Sequence, residues 1–499
     1  MSDESIPHQR RLDVAFAGGL AWTAGAKGLT QFITWLSVLI AARLLSPSDF
    51  GIVEMAGFFF GFTNVLAEFG IGTAVLQMRE LDRRVLSQLN AVSLIFSTAA
   101  FGCSVAAAPL IAAFFRSEAL RLLVIVSSLG FFITAVQAVP QGLLQRDMDY
   151  RRLSIAEAAQ ALVHAVTTVG CALAGLGYWS LVAGPFAGKG VGTLLAVCWK
   201  PVPLAVPHWR DVARPMRFGV EVALARLAWA MYSQADAVIV GRMLGDSALG
   251  MYRIAISLAS APAEKIGMLI MRVTGPLFAR IQEDRGLVRR YFLNISEVLA
   301  LAIVPLVLGL AVVAPEAVLV VLGRRWEGAV LPLQWLAAFM ILRTLNTLVS
   351  QVLTSLRFTT FSLWMAVLNF LVMPVSFYVA ARWGTGAVAA AWLVLSPVTV
   401  LPPAVKLFGA IHCRLREYLG VLAPVMLAAA AMLGAVLGLR LWLLPAAWTP
   451  PARLVAQVAA GGAIYCGILL GFYRDRILKY IQFFARLRED RDVLAAGKL

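Results

Sequence analysis

Residues 14–42 read VAFAGGLAWTAGAKGLTQFITWLSVLIAA, an apolar segment of membrane-spanning length with a single charge, Lys27, near its middle. About 20 apolar residues are enough for a helix to cross a bilayer. A cation in the middle of such a helix costs roughly 2.5–3.5 kcal/mol on insertion scales, and it usually faces a watery cavity where it has a function. The segment therefore predicts a membrane-spanning helix whose lysine belongs to a functional site.

The rest of the chain has the same character. Of its 499 residues, 60% are hydrophobic and 14% are charged, and the mean hydropathy is +0.81. This composition excludes an ordinary soluble protein and predicts an all-α polytopic membrane protein with about fourteen transmembrane helices. The predicted spans are residues 14–42, 51–77, 85–114, 119–144, 153–174, 178–199, 215–241, 247–279, 288–314, 328–356, 360–381, 386–409, 418–439 and 453–473.

A second span carries a charge at the matching place. Arg226 lies 199 residues after Lys27, and the same offset aligns residues 43–51 (RLLSPSDFG) with residues 242–250 (RMLGDSALG), which share the pattern Arg-x-Leu-x-x-Ser-x-x-Gly. The repeat predicts two six-helix lobes related by a pseudo-two-fold axis along the membrane normal, followed by two extra C-terminal helices. The predicted segments are a cytoplasmic N-terminus (1–13), an N-lobe (14–199), a cytoplasmic linker (200–214), a C-lobe (215–409), the last two spans (410–473) and a cytoplasmic amphipathic tail (474–499).

The net charge of +16 would suggest a nucleic-acid partner in a soluble protein, but here the distribution of the charge indicates topology. One set of alternate connections and termini, together with the span ends beside them, holds 27 of the 43 Lys and Arg residues, and the opposite set holds nine. Short cytoplasmic loops of membrane proteins are enriched in Lys and Arg. Both termini are therefore predicted to be cytoplasmic, and no nucleic acid is expected to bind.

Seven basic residues fall inside predicted spans and away from the span ends. Lys189 lies near the cytoplasmic half of its span, where its long side chain is expected to reach the membrane surface, and we do not assign it to the site. The other six are predicted to line a cavity that binds an anionic substrate between the lobes: Lys27, Arg226, Arg253, Lys265, Arg272 and Arg343. Three acids are predicted to couple transport to H⁺ or Na⁺: Asp236, Glu54 and Glu68. The alternative role for any one of these charges is a buried ion pair that fixes helix packing.

Motifs of catalysis and cofactor binding are missing from the sequence. The five cysteines and four histidines are scattered without metal-ligand spacing, and no nucleotide-binding or nucleophile-elbow motif occurs. The connections between spans are too short for a soluble catalytic domain. We therefore expect no metal, no cofactor and no enzymatic activity, and we expect the helices themselves to carry the function.

Six short stretches carry a family resemblance: residues 42–51 (ARLLSPSDFG), 68–74 (EFGIGTA), 175–184 (GLGYWSLVAG), 236–245 (DAVIVGRMLG), 248–252 (ALGMY) and 275–282 (GPLFARIQ). Together they resemble Wzx-type polysaccharide flippases of the multidrug/oligosaccharidyl-lipid/polysaccharide exporter superfamily. The resemblance implies transport of a polyprenyl-diphosphate-linked oligosaccharide to the outer face of a bacterial inner membrane, for exopolysaccharide or capsule assembly. It also implies that the cationic cavity holds the diphosphate while the prenyl chain stays in membrane lipid. A polysaccharide polymerase and an export complex are candidate partners.

Three other functions stay open at this point. A drug exporter would share the fold, but a cavity richer in Lys and Arg than in acids disfavours a cationic drug. A peptidoglycan-precursor flippase would transport the same lipid diphosphate with different sugars. A membrane-embedded polysaccharide polymerase or ligase would act on the same lipid-linked sugar, although such enzymes usually carry a large outer loop, and this sequence has none.

Overall fold

The computed structural model describes residues 27–28, 30–68, 71–72, 75, 82–208, 234–443 and 448–473, with the backbone alone at 61–68, 269–273, 442–443 and 472. Within these ranges the chain is almost entirely helical and has no β-strand. The predicted all-α polytopic fold is thus confirmed. The predicted N-terminal segment and C-terminal tail lie outside the described residues.

The chain forms two compact units. The first runs to Arg253 and also includes Phe370–Val388, and the second consists of Ile254–Asn369 and the residues from Ala389 onwards. In chain order the helices are α1 (Thr30–Leu44), α2 (Pro47–Glu68), α3 (Arg83–Phe115), α4 (Ala119–Ser128), α5 (Gly130–Arg146), α6 (Tyr150–Leu173), α7 (Ser180–Trp199), α8 (Ala235–Leu244), α9 (Asp246–Ile281), α10 (Arg285–Val321), α11 (Val330–Ser355), α12 (Thr359–Ala380), α13 (Thr385–Val394), α14 (Ser396–Thr399), α15 (Leu401–Ala410), α16 (Leu415–Gly438) and α17 (Pro450–Phe472). The lobe boundaries and the axis between lobes stay predictions.

Most predicted spans coincide with helices. Nine helical segments of the described residues are long and apolar enough to cross a membrane, and a tenth is added if Thr385–Val394 and Ser396–Ala410, bent by 42°, form one span. The predicted spans 85–114 and 153–174, for example, match α3 and α6 within three residues at either end. The spans 14–42, 51–77 and 215–241 fall partly or mostly outside the described residues. The total of fourteen therefore stays a prediction.

Aspartates begin several of the helices. The side chain of Asp82 accepts a hydrogen bond from the backbone amide of Arg84 at 2.8 Å, and Asp284 accepts one from Leu287 at 2.9 Å. The first amides of a helix have no partner within the helix, so a carboxylate at this position satisfies one of them and complements the helix dipole. These caps fix where α3 and α10 start.

Close packing of α6 and α7 depends on three glycines spaced four residues apart. A β-carbon added to Gly184 would overlap the hydroxyl of Thr168, and one added to Gly188 would lie 2.6 Å from the carbonyl oxygen of Gln160. At Gly192 it would lie 2.7 Å from Oε1 of Gln160. Small residues at this spacing let membrane helices approach closely. The glycine face therefore fixes how α7 is rotated about its own axis.

The start of the predicted linker, residues 201–208, has no regular secondary structure and packs on the first unit. Asn90 donates a side-chain hydrogen bond to the carbonyl oxygen of Val202 at 3.0 Å, and the amide of Ala205 donates to the carbonyl oxygen of Ser87 at 3.3 Å. These bonds tie residues that follow α7 to the first turns of α3. The end of the linker lies outside the described residues.

The second unit is tied together by polar contacts between α10, α16 and α17. Arg289 forms an ion pair with Glu417 at 2.6 Å. The hydroxyl of Tyr465 donates to the carbonyl oxygen of Leu301 at 3.0 Å. All five cysteines of the chain are free thiols, as expected from their scattered positions.

Candidate functional site

The two copies of the repeated turn lie against each other at the start of α2 and α9. A β-carbon added to Gly51 would overlap the carbonyl oxygen of Asp246, and one added to Gly250, the equivalent glycine, would overlap the carbonyl oxygen of Pro47. Only a residue without a side chain permits two backbones to approach so closely. The sequence repeat therefore marks a helix crossing.

Each copy of the turn places an acid in the first turn of its helix, Asp49 in α2 and Asp246 in α9. The hydroxyl of Ser46 donates to Oδ2 of Asp49 at 2.6 Å, which closes the first turn locally. The hydroxyl of Ser48 instead reaches across the crossing and donates to Oδ2 of Asp246 at 2.8 Å. A polar contact thus supplements the glycine contact.

One helical turn further along, the two copies are joined by an ion pair. Nε of Arg253 lies 3.0 Å from Oε2 of Glu54, and the two side chains are 24% and 35% exposed. The same offset that relates Gly51 to Gly250 relates Glu54 to Arg253, so equivalent positions carry opposite charges. A guanidinium at this distance from a carboxylate forms a charge-assisted hydrogen bond. An anionic substrate would have to compete with Glu54 for Arg253.

Asp236, at the start of α8, lies beside this pair. It is 2% exposed, and its Oδ2 accepts a hydrogen bond from the Tyr252 hydroxyl at 2.8 Å. Its carboxylate is close enough to interact electrostatically with the guanidinium of Arg253, which also donates to Gln234 at 3.4 Å. Three of the predicted charges, Glu54, Asp236 and Arg253, are therefore brought together.

The other predicted site residues are distributed more widely. Lys27 and Arg343 are exposed, and Nη1 of Arg343 lies 3.8 Å from the sulfur of Met340 on its own helix. Lys265 is an exposed residue of α9. Arg226 lies outside the described residues, as do the side chains of Arg272 and Glu68. The roles predicted for these six residues stay predictions.

Lys189 is a candidate that the sequence interpretation missed. It was expected to reach the membrane surface, but its Nζ donates to Oγ1 of Thr134 at 2.6 Å, and Thr134 is 4% exposed. Thr134 lies four residues after the start of α5 at Gly130. That Lys189 reaches the membrane surface stays a prediction, and the structure adds its hydrogen bond to Thr134. A signal was present in the sequence, since Lys189 directly follows the second of the three spaced glycines.

The Lys189 side chain lines a cavity of about 340 Å³ inside the first unit. The lining residues come from α2, α4, α5 and α7: Phe60, Ser127, Gly130, Phe131, Ile133, Thr134, Pro185, Phe186 and Lys189. Lys189 is the charged member of this set, and most of the others are apolar. The arrangement places an ammonium group and two hydroxyl-bearing residues along a partly open, mostly apolar cavity.

Comparison with protein families gives one match. A family model described as "Polysaccharide biosynthesis protein" matches residues 40–331. This range includes both copies of the repeated turn and α2 through α10, and therefore most of the elements described above.

Three curated proteins illustrate the sequence similarity. The teichuronic acid biosynthesis protein TuaB of Bacillus subtilis (strain 168) is 26% identical over 91% of this chain and 95% of its own length. The succinoglycan biosynthesis transport protein ExoT of Rhizobium meliloti (strain 1021) is 30% identical over 62% of this chain and 63% of its own. The lipopolysaccharide biosynthesis protein WzxC of Escherichia coli (strain K12) is 24% identical over 67% and 69%.

Solved structures share the fold. The lipid II flippase MurJ in an inward closed conformation superposes with a TM-score of 0.70, covering 92% of this chain and 100% of MurJ at 13% sequence identity. An inward-facing multidrug resistance MATE family transporter of the MOP superfamily gives a TM-score of 0.55 at 17% identity, covering 76% of this chain and 95% of that structure. At these identities the likeness concerns the fold and leaves the cargo undetermined.

Proposed function

Because the chain belongs to the polysaccharide biosynthesis protein family, we propose that it is a flippase for a lipid-linked glycan. It translocates a polyprenyl-diphosphate-linked oligosaccharide from the cytoplasmic to the outer face of a bacterial inner membrane. The product serves exopolysaccharide or capsule assembly. Two of the relatives support this cargo class. ExoT is named a succinoglycan biosynthesis transport protein, and WzxC is named a lipopolysaccharide biosynthesis protein.

The observation that carries the proposal is the contact between the two repeated turns. In the predicted topology the connections at Arg43 and Arg242 lie on the outer side, with both termini in the cytoplasm. The crossing of Gly51 with Gly250, the Ser48–Asp246 hydrogen bond and the ion pair beneath would then close the outer side of the transport path. In a two-state transporter this contact separates when cargo is released outward.

A disulfide across the crossing tests this mechanism. The variant carries Ser48→Cys and Asp246→Cys in a background where the five native cysteines are replaced by serine. We expect oxidation to abolish polymer export in cells and a reductant to restore it, because the closed outer side can no longer open. The matched control is Ser48→Cys alone, which should export polymer with or without oxidant. Export that is unaffected by a formed disulfide would contradict the mechanism.

The cargo diphosphate is proposed to bind the intramembrane cations of the sequence prediction, with Lys27 and Arg226 as its main partners. Basic side chains replace the hydration that a phosphate loses on leaving water. We expect Lys27→Ala and Arg226→Ala to stop export while the protein stays in the membrane, and lipid-linked oligosaccharide to accumulate on the inner leaflet. Normal polymer output from both variants would contradict this role.

Coupling to H⁺ or Na⁺ is proposed to use Asp236 with Glu54. This cluster contains two carboxylates and one arginine. When the ion pair between Glu54 and Arg253 opens, a carboxylate can therefore bind H⁺ or Na⁺. Asp236→Asn should reduce export and remove its dependence on pH or on Na⁺. The control Tyr252→Phe removes the hydrogen bond to Asp236 but leaves the carboxylate, and it should keep the ion dependence.

Reconstituted vesicles distinguish the cargo alternatives. Lipid-linked oligosaccharide of the exopolysaccharide pathway and a peptidoglycan precursor are each loaded on one leaflet, and their arrival on the other is followed with an impermeant sugar-modifying reagent. Movement of the first without the second supports the proposed function. Chain extension of the oligosaccharide in the same vesicles would indicate a polymerase instead.

A further inference from the structure

Three connections of the second unit meet at one end of it. They join α9 to α10, α11 to α12 and α15 to α16. One hydrophobic cluster holds buried residues from all three places, among them Phe278, Phe292, Leu356 and Ile411. The connections therefore lie close together, and in the predicted topology they face the cytoplasm.

Exposed cations surround this cluster, and we call them the basic rim. Its members are Arg280, Arg290, Arg357, Lys406, Arg414 and Arg416. Two acids of the same end already have partners, since Glu417 pairs with Arg289 at 2.6 Å and Asp284 caps α10. Within the described part of the chain, no member of the rim forms an ion pair. The end of the second unit thus carries a surplus of positive charge.

Arg357 has an uncommon backbone conformation, with a φ of +65°. Its amide donates to the carbonyl oxygen of Thr354 at 3.0 Å, and the amide of Phe358 donates to that of Leu353 at 2.9 Å. These two bonds close the end of α11 in a motif where glycine is the usual left-handed residue. The chain therefore holds an arginine where glycine has the lowest conformational cost, and the closed turn sets the direction of its side chain.

Lys406 brings a second cation to the same turn. Its Nζ lies 5.1 Å from the centroid of the Phe358 ring, and Phe358 directly follows Arg357. A cation over the face of a ring is attracted by the π-electrons and uses no hydrogen-bond acceptor. The ammonium group therefore keeps its donors for an anion, and one phosphate can be reached from both cations.

Apolar side chains are exposed on the two helices that carry this turn. On α12 they are Leu363 and Trp364, and on α15 they are Leu401 and Val405. In a membrane, exposed apolar side chains of this kind face the hydrocarbon, and tryptophan is frequent near the headgroups. The surface therefore combines two cations at headgroup level with hydrocarbon-facing side chains beneath them.

We propose that this surface binds an anionic phospholipid of the surrounding leaflet, with the phosphate between Arg357 and Lys406 and the acyl chains along α12 and α15. Basic residues at the cytoplasmic ends of membrane helices bind anionic headgroups. Arginine and lysine both form charge-assisted hydrogen bonds with phosphate oxygens. The site is separate from the cargo contacts of the proposed function and does not depend on them.

Lipid binding to the purified full-length protein tests the site. Phosphatidylglycerol is titrated into the detergent-solubilised protein, and bound lipid is counted by native mass spectrometry. The double variant Arg357→Gln with Lys406→Gln should bind about tenfold more weakly or worse, because each basic residue near an anionic headgroup contributes roughly a factor of five. Arg357→Lys with Lys406→Arg keeps both charges and should keep most of the affinity.

The matched control is Arg83→Gln with Arg84→Gln, which changes two exposed arginines at the start of α3 in the first unit. It alters the net charge by the same amount and should leave the affinity unchanged. The melting temperature checks that both double variants are folded. Equal weakening by both would show that net charge alone attracts the lipid, and would overturn the site.

Two further probes identify the ligand. Phosphatidylcholine carries the same phosphate and acyl chains without net charge, and weak binding of it supports an anionic site. Phosphatidylcholine that binds as tightly as phosphatidylglycerol would overturn the proposal. Undecaprenyl phosphate that displaces phosphatidylglycerol when present in equal amount would also overturn it, because the surface would then prefer an isoprenoid lipid.

Discussion

The crossing of α2 with α9 and the packing of α6 on α7 use glycine in the same way but treat the adjacent cation differently. At the first, Arg253 lies three residues after Gly250 and meets the carboxylate of Glu54. At the second, Lys189 directly follows Gly188 and meets the neutral hydroxyl of Thr134 beside a cavity. An ion pair fixes the position of the first charge, whereas a hydrogen bond to a hydroxyl fixes the position of the second. An intramembrane cation therefore acquires its role from the partner that helix packing brings to it.

The largest expected effect comes from adding a methyl group where the backbones of α2 and α9 are in contact. Gly250→Ala places a β-carbon on the backbone carbonyl of Pro47, which cannot move aside as a side chain can. We expect a loss of stability of about 3 kcal/mol and a loss of export. The melting temperature in detergent measures the first quantity. Gly267→Ala in the same helix is the matched control, because nothing lies within 4 Å of its β-carbon, and it should be neutral or slightly stabilising.

The equivalent change at the second contact should have a smaller effect. In Gly188→Ala the β-carbon lies 2.6 Å from the carbonyl oxygen of Gln160 and 2.9 Å from Cβ of His164. A small shift of α7 relieves this overlap, so we expect a loss of about 2 kcal/mol. The melting temperature in detergent measures this loss, and Gly190→Ala, which has open space around its β-carbon, should leave it unchanged.

Neutralising Glu54 should measure how much the ion pair stabilises the crossing of α2 with α9. Glu54→Gln removes the carboxylate that pairs directly with Arg253 and leaves Asp236 nearby, which we expect to cost about 1–2 kcal/mol. The value is below that of a fully buried pair because both side chains are partly solvent-exposed and screened. A double-mutant cycle with Arg253→Gln measures the coupling between the two residues. Additive effects of the two single changes would show that the pair contributes no stability.

The smallest effect, and one of opposite sign, is expected at Lys189. Lys189→Met replaces the ammonium group by an apolar side chain of similar length among phenylalanines, and Thr134 keeps its bond to Gly130. We expect unchanged stability or a gain of up to about 1 kcal/mol, measured as the melting temperature in detergent. A clear loss of stability would mean that Lys189 has a structural role like that of Arg253.

Much of the fold could be predicted from the sequence because apolar length is a local property. The spans 85–114, 288–314 and 418–439 correspond to α3, α10 and α16 within a few residues, apart from a longer C-terminal end of α10. The repeat at Gly51 and Gly250 was also recognisable, since the pattern recurs at a constant offset. The break between α4 and α5 at Leu129 was not predicted, because no proline or charge marks it.

The candidate site could be predicted only in part. The concentration of charges in a few spans indicated Glu54, Asp236 and Arg253, and the structure brings these three together. Their partners could not be assigned from spacing, since the Arg253–Glu54 pair joins helices that are 199 residues apart. Lys189 was dismissed for the same reason, because its distance from the helix end says nothing about the direction of its side chain.

Sequence alone was sufficient for the membrane class, for the approximate position of most spans among the described residues and for the duplicated turn, because hydrocarbon thickness sets helix length and an internal repeat is visible in the order of the residues. The tertiary structure was required to assign each charge. Whether a lysine or an arginine meets an acid, a hydroxyl or a cavity depends on the rotation and crossing of helices, and these are set by glycine contacts between segments far apart in the chain. For Arg253 that contact is with Glu54, and for Lys189 it is with Thr134.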